Sequence, residues 1–130
     1  MVIQDQSEVL RFLSHPSTYL APDSPVERID THGAAVFLTG ERAYKLKKAV
    51  RYDFLDFSSE PLRRRACEAE VRVNRRTAPN LYLETQPITR EAGGTLALGG
   101  HGLPVDWVVV MRRFPQEALL DRLAARKRSS

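Results

Sequence analysis

A lysine in the middle of a predicted strand is the side chain of this sequence that is best placed for chemistry. Lys45 lies in the segment Ala43–Lys48, and side chains alternate along a strand, so Ala43 and Lys45 point to the same face. The ammonium group of such a lysine reaches phosphate oxygens, and the small Ala43 leaves room for a flat base. Lys47 shares this face and is the alternative phosphate lysine. The segment is therefore a candidate phosphate-binding strand.

A half-buried ammonium group needs a counter-charge, and Glu70 on the next predicted helix offers one. The residues one turn from Glu70 are Ala66, Cys67, Val73 and Asn74, whereas those near Glu68 are Arg64, Arg65 and Arg72. Because residues three and four apart share a helix face, Glu70 is predicted to face the sheet and Glu68 the solvent. We therefore expect an ion pair between Lys45 and Glu70. The alternative, which the residues by themselves favour, is that Lys45 extends to solvent from an edge strand.

The elements that would position these side chains follow from hydrophobic periodicity and turn residues. A helix is predicted over Ser7–Leu13, with Ser7 as its cap, and Ser17–Pro25 is interpreted as a linker. Three strands joined by short turns come next: Val26–Thr31, Ala34–Thr39 and Arg42 to about Lys48. His32 and Gly33 lie in the first of these turns, and His32 is interpreted as a turn residue rather than a catalytic base.

The second half of the chain is predicted to contain one long helix and the rest of the sheet. Ser59 and Pro61 are typical of a helix start, and the helix is expected to run to about Thr77. The later strands are Leu81–Leu83 with Gln86–Thr89, irregular at Pro87, then Thr95–Leu98 and Val105–Met111. The nearly continuous apolar run of the last strand is typical of a strand covered on both faces. A final helix is predicted over Gln116–Ala125.

The composition of the chain limits the classes of protein to which it can belong. The chain has 130 residues, 42% of them hydrophobic, which suits one domain with a modest core. No apolar run approaches the roughly 20 residues that span a bilayer, and the polar start is unlike a signal peptide, so a cytoplasmic location is predicted. The single cysteine, Cys67, excludes an internal disulfide and is interpreted as a small buried hydrophobe. We divide the chain into a helix with its linker (1–25), a domain (26–125) and a disordered basic tail (126–130).

Seven short motifs, in order, resemble the amino-terminal part of a bacterial kinase family. They are Thr31–His32, Val36–Gly40, Tyr44–Lys48, Phe54–Ser58, Cys67–Val71, Asn74–Arg76 and Met111–Pro115. The family is the aminoglycoside phosphotransferase-like kinases, often described as bifunctional aminoglycoside phosphotransferase/ATP-binding proteins. The resemblance covers most of the chain from about Val26 to Arg126. It implies an α+β fold like the small, amino-terminal lobe of a protein kinase, with an antiparallel sheet of about five strands, one long packed helix and flanking helices.

The resemblance also implies nucleotide binding. The residues implied to form the ATP site are Lys45, Glu70, Ala43, Gly33, Met111, Arg112 and Phe114. The family's catalytic and metal-binding residues belong to a second, mostly helical lobe, and this chain ends where that lobe would begin. We therefore expect a truncated ATP-dependent phosphotransferase with no catalytic residue and no metal ligand of its own. The isolated chain is expected to be inactive, with Mg²⁺ supplied only together with the second lobe.

Two local departures from the family pattern bear on this interpretation. Gly33 is followed by two alanines, which makes a poor glycine-rich loop, and no Gly-x-x-x-x-Gly-Lys-Ser/Thr motif of a P-loop domain occurs. His101 and Gly102 match the start of the family's catalytic loop, but Leu103 and a strand pattern follow. We therefore assign no catalytic loop to this segment.

Expected partners follow from charge and from the missing lobe. The net charge of +4 resides mainly in arginines of the long helix and in the last residues, which makes a small basic nucleic-acid-binding module the alternative function. A protein-interaction module is another alternative, and no membrane contact is expected. The run Val105–Met111 and the final helix, with Leu119, Leu120 and Leu123, are predicted to leave an apolar patch where the second lobe would dock. Self-association of the isolated chain would follow.

Overall fold

The computed structural model describes residues 5–19, 24–52 and 55–113 of the chain. In chain order they form helix α1 (Ser7–Ser14), strands β1 (Glu27–Asp30), β2 (Ala34–Thr39), β3 (Arg42–Lys47), β4 (Arg51–Tyr52) and β5 (Leu55–Asp56), helix α2 (Glu60–Asn74), and strands β6 (Tyr82–Arg90), β7 (Leu96–Leu98) and β8 (Leu103–Arg112). This α+β architecture was predicted. Neither helix of the described residues is long and apolar enough to cross a membrane.

Six of these strands form one antiparallel sheet in the order β1-β2-β3-β8-β6-β7. Strands β3 and β8 are interior because each is paired on both sides. The sheet has six strands where about five were expected. The short strand predicted over Thr95–Leu98 is present as Leu96–Leu98, an edge strand that pairs with the end of β6. Strands β4 and β5 pair with each other in a separate short ladder, within the connector that leads to α2. The lysine-bearing strand β3 therefore lies in the interior of the sheet.

Both faces of the sheet are covered, because alternation divides the side chains of each strand between two cores. The core beneath α1 contains Val9, Leu13, Tyr19, Ala35, Phe37, Tyr44, Leu46, Ile88, Val108 and Val110. The core beneath α2 contains Val36, Leu38, Ala43, Cys67, Val71, Tyr82, Val109 and Met111. Each helix thus covers one face, and α2 lies on the face to which Ala43 points.

Strand β8 does not supply the exposed apolar surface that was predicted. The side chains of Val108, Val109 and Val110 are fully buried and Met111 is 3% exposed, because β8 lies between β3 and β6 and serves both cores. The prediction that this run contributes to an uncovered apolar patch is therefore wrong. Its assignment as a strand covered on both faces is confirmed. The final predicted helix and the basic tail lie outside the described residues, so self-association stays a prediction.

The ends of α2 follow its local hydrogen bonds. Ser59 caps the helix, as predicted, because its hydroxyl accepts a hydrogen bond from the backbone N–H of Leu62 at 3.4 Å. Pro61 lies in the first turn, where its missing N–H removes no helical bond. The helix ends at Asn74 rather than Thr77, because the last three predicted residues form turns.

The start of α1 differs from the prediction by one residue. Gln6, not Ser7, is the cap, because the Gln6 carbonyl accepts the first helical hydrogen bond, from the N–H of Leu10 at 2.8 Å. The Ser7 hydroxyl instead bonds to the carboxylate of Asp5. This leaves the Gln6 side chain available for contacts elsewhere.

Two irregular segments also differ from expectation. The predicted linker Ser17–Pro25 begins in ordered structure, since a 3-10 turn spans Pro16–Thr18 and the buried Tyr19 ring lies 4.7 Å from that of Tyr44. In β6 the register shifts lie between Tyr82 and Glu84 and between Ile88 and Thr89. Pro87 itself keeps regular register, so the irregularity predicted at Pro87 lies one residue further along the strand, between Ile88 and Thr89.

Candidate functional site

Two lysines of β3 and one glutamate of α2 meet beneath the helix. Lys45 Nζ lies 2.9 Å from one carboxylate oxygen of Glu70, and Lys47 Nζ lies 2.5 Å from the other. The side chains of Lys45 and Glu70 are each 7% exposed and that of Lys47 is 9% exposed. The predicted ion pair between Lys45 and Glu70 is confirmed. We call these three residues the lysine cluster.

Alternation along β3 and the helical period of α2 create this arrangement. Lys45 stands opposite Val36 of β2 and Val109 of β8, so it lies in the middle of the sheet and not on an edge. The alternative that Lys45 extends to solvent from an edge strand is therefore excluded. Glu70 faces the sheet and Glu68, 47% exposed, faces solvent, as the spacing predicted.

Both lysines that the sequence offered as phosphate ligands are brought to the same carboxylate. Lys47 also lies 5.1 Å from the ring centre of Phe57, a distance typical of a cation–π contact. Lys48, by contrast, points away, where its Nζ donates to the carbonyl of Thr31 and lies 3.3 Å from Asp30. The lysine cluster combines two ammonium groups with one carboxylate, so it carries a net positive charge when all three groups are ionised. Such a site favours an anion.

A second buried charge pair lies on the same helix. Arg63 is fully buried, its Nε donates to Asp106 Oδ1 at 2.8 Å, and another of its nitrogens donates to the carbonyl of Phe57 at 2.9 Å. The side chain of Gln6 donates to the second oxygen of Asp106 at 2.8 Å. Burial raises the pKa of Asp106, and the Arg63 guanidinium and the hydrogen bond from Gln6 oppose that rise. We call Gln6, Arg63 and Asp106 the buried network.

Sequence reasoning missed the buried network, although two signals for it were present. Asp106 interrupts an otherwise apolar run, and a carboxylate in such a position needs a partner. Arg63 lies seven residues before Glu70, which is two helical turns and hence nearly the same face. The same spacing that placed Glu70 inward therefore also places Arg63 inward. Gln6 carried no comparable signal.

The remaining predicted site residues are only partly brought together. Ala43 is buried and stands opposite Met111 in the β3–β8 pair, and both lie in the core beneath α2. Gly33 belongs to the turn before β2, where its carbonyl accepts from the N–H of Lys48 at 2.8 Å. Arg112 is exposed and its Nε donates to the carbonyl of Asn80 at 3.1 Å. Phe114 lies outside the described residues.

The other chemically capable side chains are placed as the sequence indicated. Cys67 is fully buried, and burial raises the pKa of its thiol to about 12, so the thiol stays protonated at neutral pH. His32 is an exposed turn residue. In the parts of the chain that the structure describes, no group of three or more His, Cys, Asp or Glu side chains is arranged to hold a metal ion.

Of the four arginines of α2, Arg63 is buried and the other three are exposed. Arg63 is buried against Asp106, and the guanidinium of Arg64 lies 5.0 Å from the ring centre of Trp107 and 3.5 Å from Glu68. Arg63 and Arg64 are thus each in contact with an opposite charge or a ring, whereas Arg65 and Arg72 are exposed. The nucleic-acid module stays the alternative prediction.

Comparison with known proteins finds similar proteins whose names state no activity. The chain is 40% identical over 102 residues to an uncharacterized protein of Mycobacterium bovis and to uncharacterized proteins of two Mycobacterium tuberculosis strains. The aligned region covers 78% of this chain, and the chain spans only 18% of the length of each of these relatives. No family model and no solved structure matches the chain.

Proposed function

We propose that this chain is the ATP-binding amino-terminal lobe of a small-molecule kinase that resembles the aminoglycoside phosphotransferases. The supporting observation is the ion pair between Lys45 on the third strand and Glu70 on the following long helix, at 2.9 Å. Protein kinases use a third-strand lysine, paired with a glutamate of the next helix, to hold ATP phosphates. The position of the pair in both sequence order and space fits that use.

The second lysine strengthens the proposal for a polyphosphate ligand. Lys47 contacts the other oxygen of Glu70, so a single carboxylate orients two ammonium groups. A triphosphate carries several negative charges, and each ammonium group has three hydrogens with which to contact phosphate oxygens. Lys45 and Lys47 are therefore both assigned to phosphate binding, and Glu70 to their orientation.

We assign no phosphoryl transfer to these residues alone. The residues that orient an acceptor and hold Mg²⁺ in such kinases belong to a second lobe. The acceptor therefore stays unassigned. For the isolated chain we expect weak ATP binding, in the high micromolar range or weaker, and no measurable hydrolysis.

Titration calorimetry with MgATP tests the proposal. Wild-type protein should bind, and Lys45→Ala should weaken binding at least about tenfold, because a hydrogen bond to a charged group is lost. Lys48→Ala is the matched control, since this lysine contacts Thr31 and Asp30 instead of the lysine cluster. Wild-type-like affinity in Lys45→Ala, or phosphate release that persists in that variant, would overturn the proposal.

A further inference from the structure

The side chain of Gln6 joins three segments that are distant in sequence. Its Nε2 donates to Asp106 Oδ2 at 2.8 Å and to the carbonyl of Lys47 at 3.1 Å, and its Oε1 accepts from the N–H of Ala49 at 2.8 Å. Gln6 is only 9% exposed, so water does not substitute freely for these partners. One amide therefore connects the segment before α1 to the end of β3 and to β8.

The same network fixes α2. Arg63 donates to Asp106 and to the carbonyl of Phe57, and these directional bonds hold the first half of the helix against β8 and the preceding connector. Glu70 lies seven residues further on, about 10 Å along the helix axis at 1.5 Å per residue. A helix held at Arg63 has little freedom to rotate or to tilt at Glu70, because its own backbone hydrogen bonds keep it stiff.

We propose that Gln6, Asp106 and Arg63 are positioning residues that hold α2 where Glu70 meets Lys45 and Lys47. The segment before α1 then determines the geometry of the nucleotide site without contributing a ligand to it. This inference rests on the proposed function for its link to nucleotide. The anchoring of α2 itself does not depend on that link, so the two are tested separately.

Cys67 is a built-in probe for the position of α2. It is the chain's single cysteine, it lies between Arg63 and Glu70 on the buried side of the helix, and it is fully buried. Its thiol reacts with an alkylating reagent only when α2 moves from the sheet or when the whole domain unfolds. Labelling rates measured at increasing urea separate these routes, because local opening exposes little surface and depends weakly on urea, whereas global unfolding depends strongly on it.

The decisive variant is Gln6→Met, which keeps the length of the side chain and removes all three hydrogen bonds. We expect Cys67 in the full chain to be labelled about tenfold faster without urea, through a weakly urea-dependent route, because three buried polar groups each lose one hydrogen bond. Glu8→Gln is one control, since it removes the exposed ion pair with Arg90 and leaves the buried network intact. Ile88→Val is the other, because it destabilises the core beneath α1.

A second variant covers the case in which Gln6→Met does not fold. Arg63→Lys keeps a positive charge beside Asp106 but cannot bond to Asp106 and the Phe57 carbonyl with the same planar geometry. It should accelerate weakly urea-dependent labelling in the same direction. If the network variants that fold do not accelerate labelling, or accelerate it only through the strongly urea-dependent route as Ile88→Val should, the positioning role is overturned.

The link to nucleotide is tested by protection of the same thiol. MgATP at ten times its dissociation constant should slow the labelling of Cys67 about tenfold in wild-type protein, because the ligand binds only the form in which α2 is docked. Unchanged labelling in protein shown by calorimetry to bind MgATP would overturn the link between α2 and the site. Absence of MgATP binding in calorimetry would refute the proposed function alone, and the comparison of Gln6→Met with its controls would still decide whether the network anchors α2.

Discussion

Replacing Glu70 with glutamine is expected to destabilise the domain strongly, because this carboxylate is bound by two nearly buried ammonium groups. Both lysine nitrogens lie within 2.9 Å of it, and none of the three side chains is more than 9% exposed. Glutamine has the same shape and keeps one oxygen acceptor, so the substitution Glu70→Gln removes the charge and little volume. The change in stability therefore reports the electrostatic role of the carboxylate.

The expected magnitude follows from the burial of the cluster. Removing one partner of a buried ion pair costs about 3–5 kcal/mol, and the retained amide oxygen places Glu70→Gln near the lower end, at about 3 kcal/mol. A domain of this size is stable by about 5–15 kcal/mol, so the variant should fold with a clearly lower unfolding midpoint. An exposed pair would change the free energy of unfolding far less.

The same helix supplies the control. Glu68 is 47% exposed and lies 3.5 Å from Arg64, so Glu68→Gln should cost about 0.5 kcal/mol or less. Urea unfolding of both variants, followed by circular dichroism and by the fluorescence of the single tryptophan, measures the difference. Equal losses of stability in the two variants would refute the assignment of Glu70 as the counter-charge of the buried lysines.

Two further predictions concern other parts of the fold. Gly102→Ala should destabilise by about 1–3 kcal/mol in urea unfolding, because a Cβ there would lie 1.9 Å from the carbonyl oxygen of Arg90, which is backbone and cannot turn aside. Gly93→Ala, with nothing within 4 Å, should cost much less, and a similar loss at both glycines would contradict the steric account. The hydrogen bond from Arg90 lowers the pKa of Glu8 below its ordinary value of 4.5, so the folded state binds this proton less readily than the unfolded chain. The stabilising contribution of the Glu8 carboxylate should be complete above pH 4.5 and lost as the pH falls through the pKa of Glu8 in the folded state. The unfolding midpoints of wild type and Glu8→Gln, measured at a series of acidic pH values, should therefore converge in acid.

Periodicity was enough to predict the lysine cluster, because both of its elements are regular. A period of two along β3 places Lys45 and Lys47 on one face, and a period of 3.6 along α2 places Glu70 inward. The two faces meet whenever the helix packs on the sheet, which the apolar positions of α2 require. Neither inference needs the exact register of the strands, so the difference between about five expected strands and six observed ones affected neither.

The buried network was beyond this reasoning for a physical reason. Its members come from three segments, and their meeting depends on how far β8 is shifted along β3 and on where the chain before α1 returns to the sheet. Local spacing places Arg63 inward, but it does not select Asp106 as its partner. For Gln6 no pattern exists, because a polar residue before a helix is expected to face solvent. The cap predicted at Ser7 was wrong by one residue, since the Gln6 carbonyl accepts the first helical hydrogen bond.

The inward face of α2 carries two charged residues beside its apolar ones. Cys67 and Val71 pack in the core. Arg63, which is fully buried, and Glu70, which is nearly buried, occupy the positions beside them. Apolar side chains of similar volume generally stabilise a domain as well as a buried ion pair does, or better, so stability alone does not account for these two residues. Ion pairs differ from apolar contacts in being directional, and each of these pairs selects one rotation and one height of the helix on the sheet. A variant that combines Glu70→Leu with Lys45→Met and Lys47→Met should therefore be at least as stable as the wild type. The same variant should no longer bind MgATP. This outcome separates a functional site from a structural one.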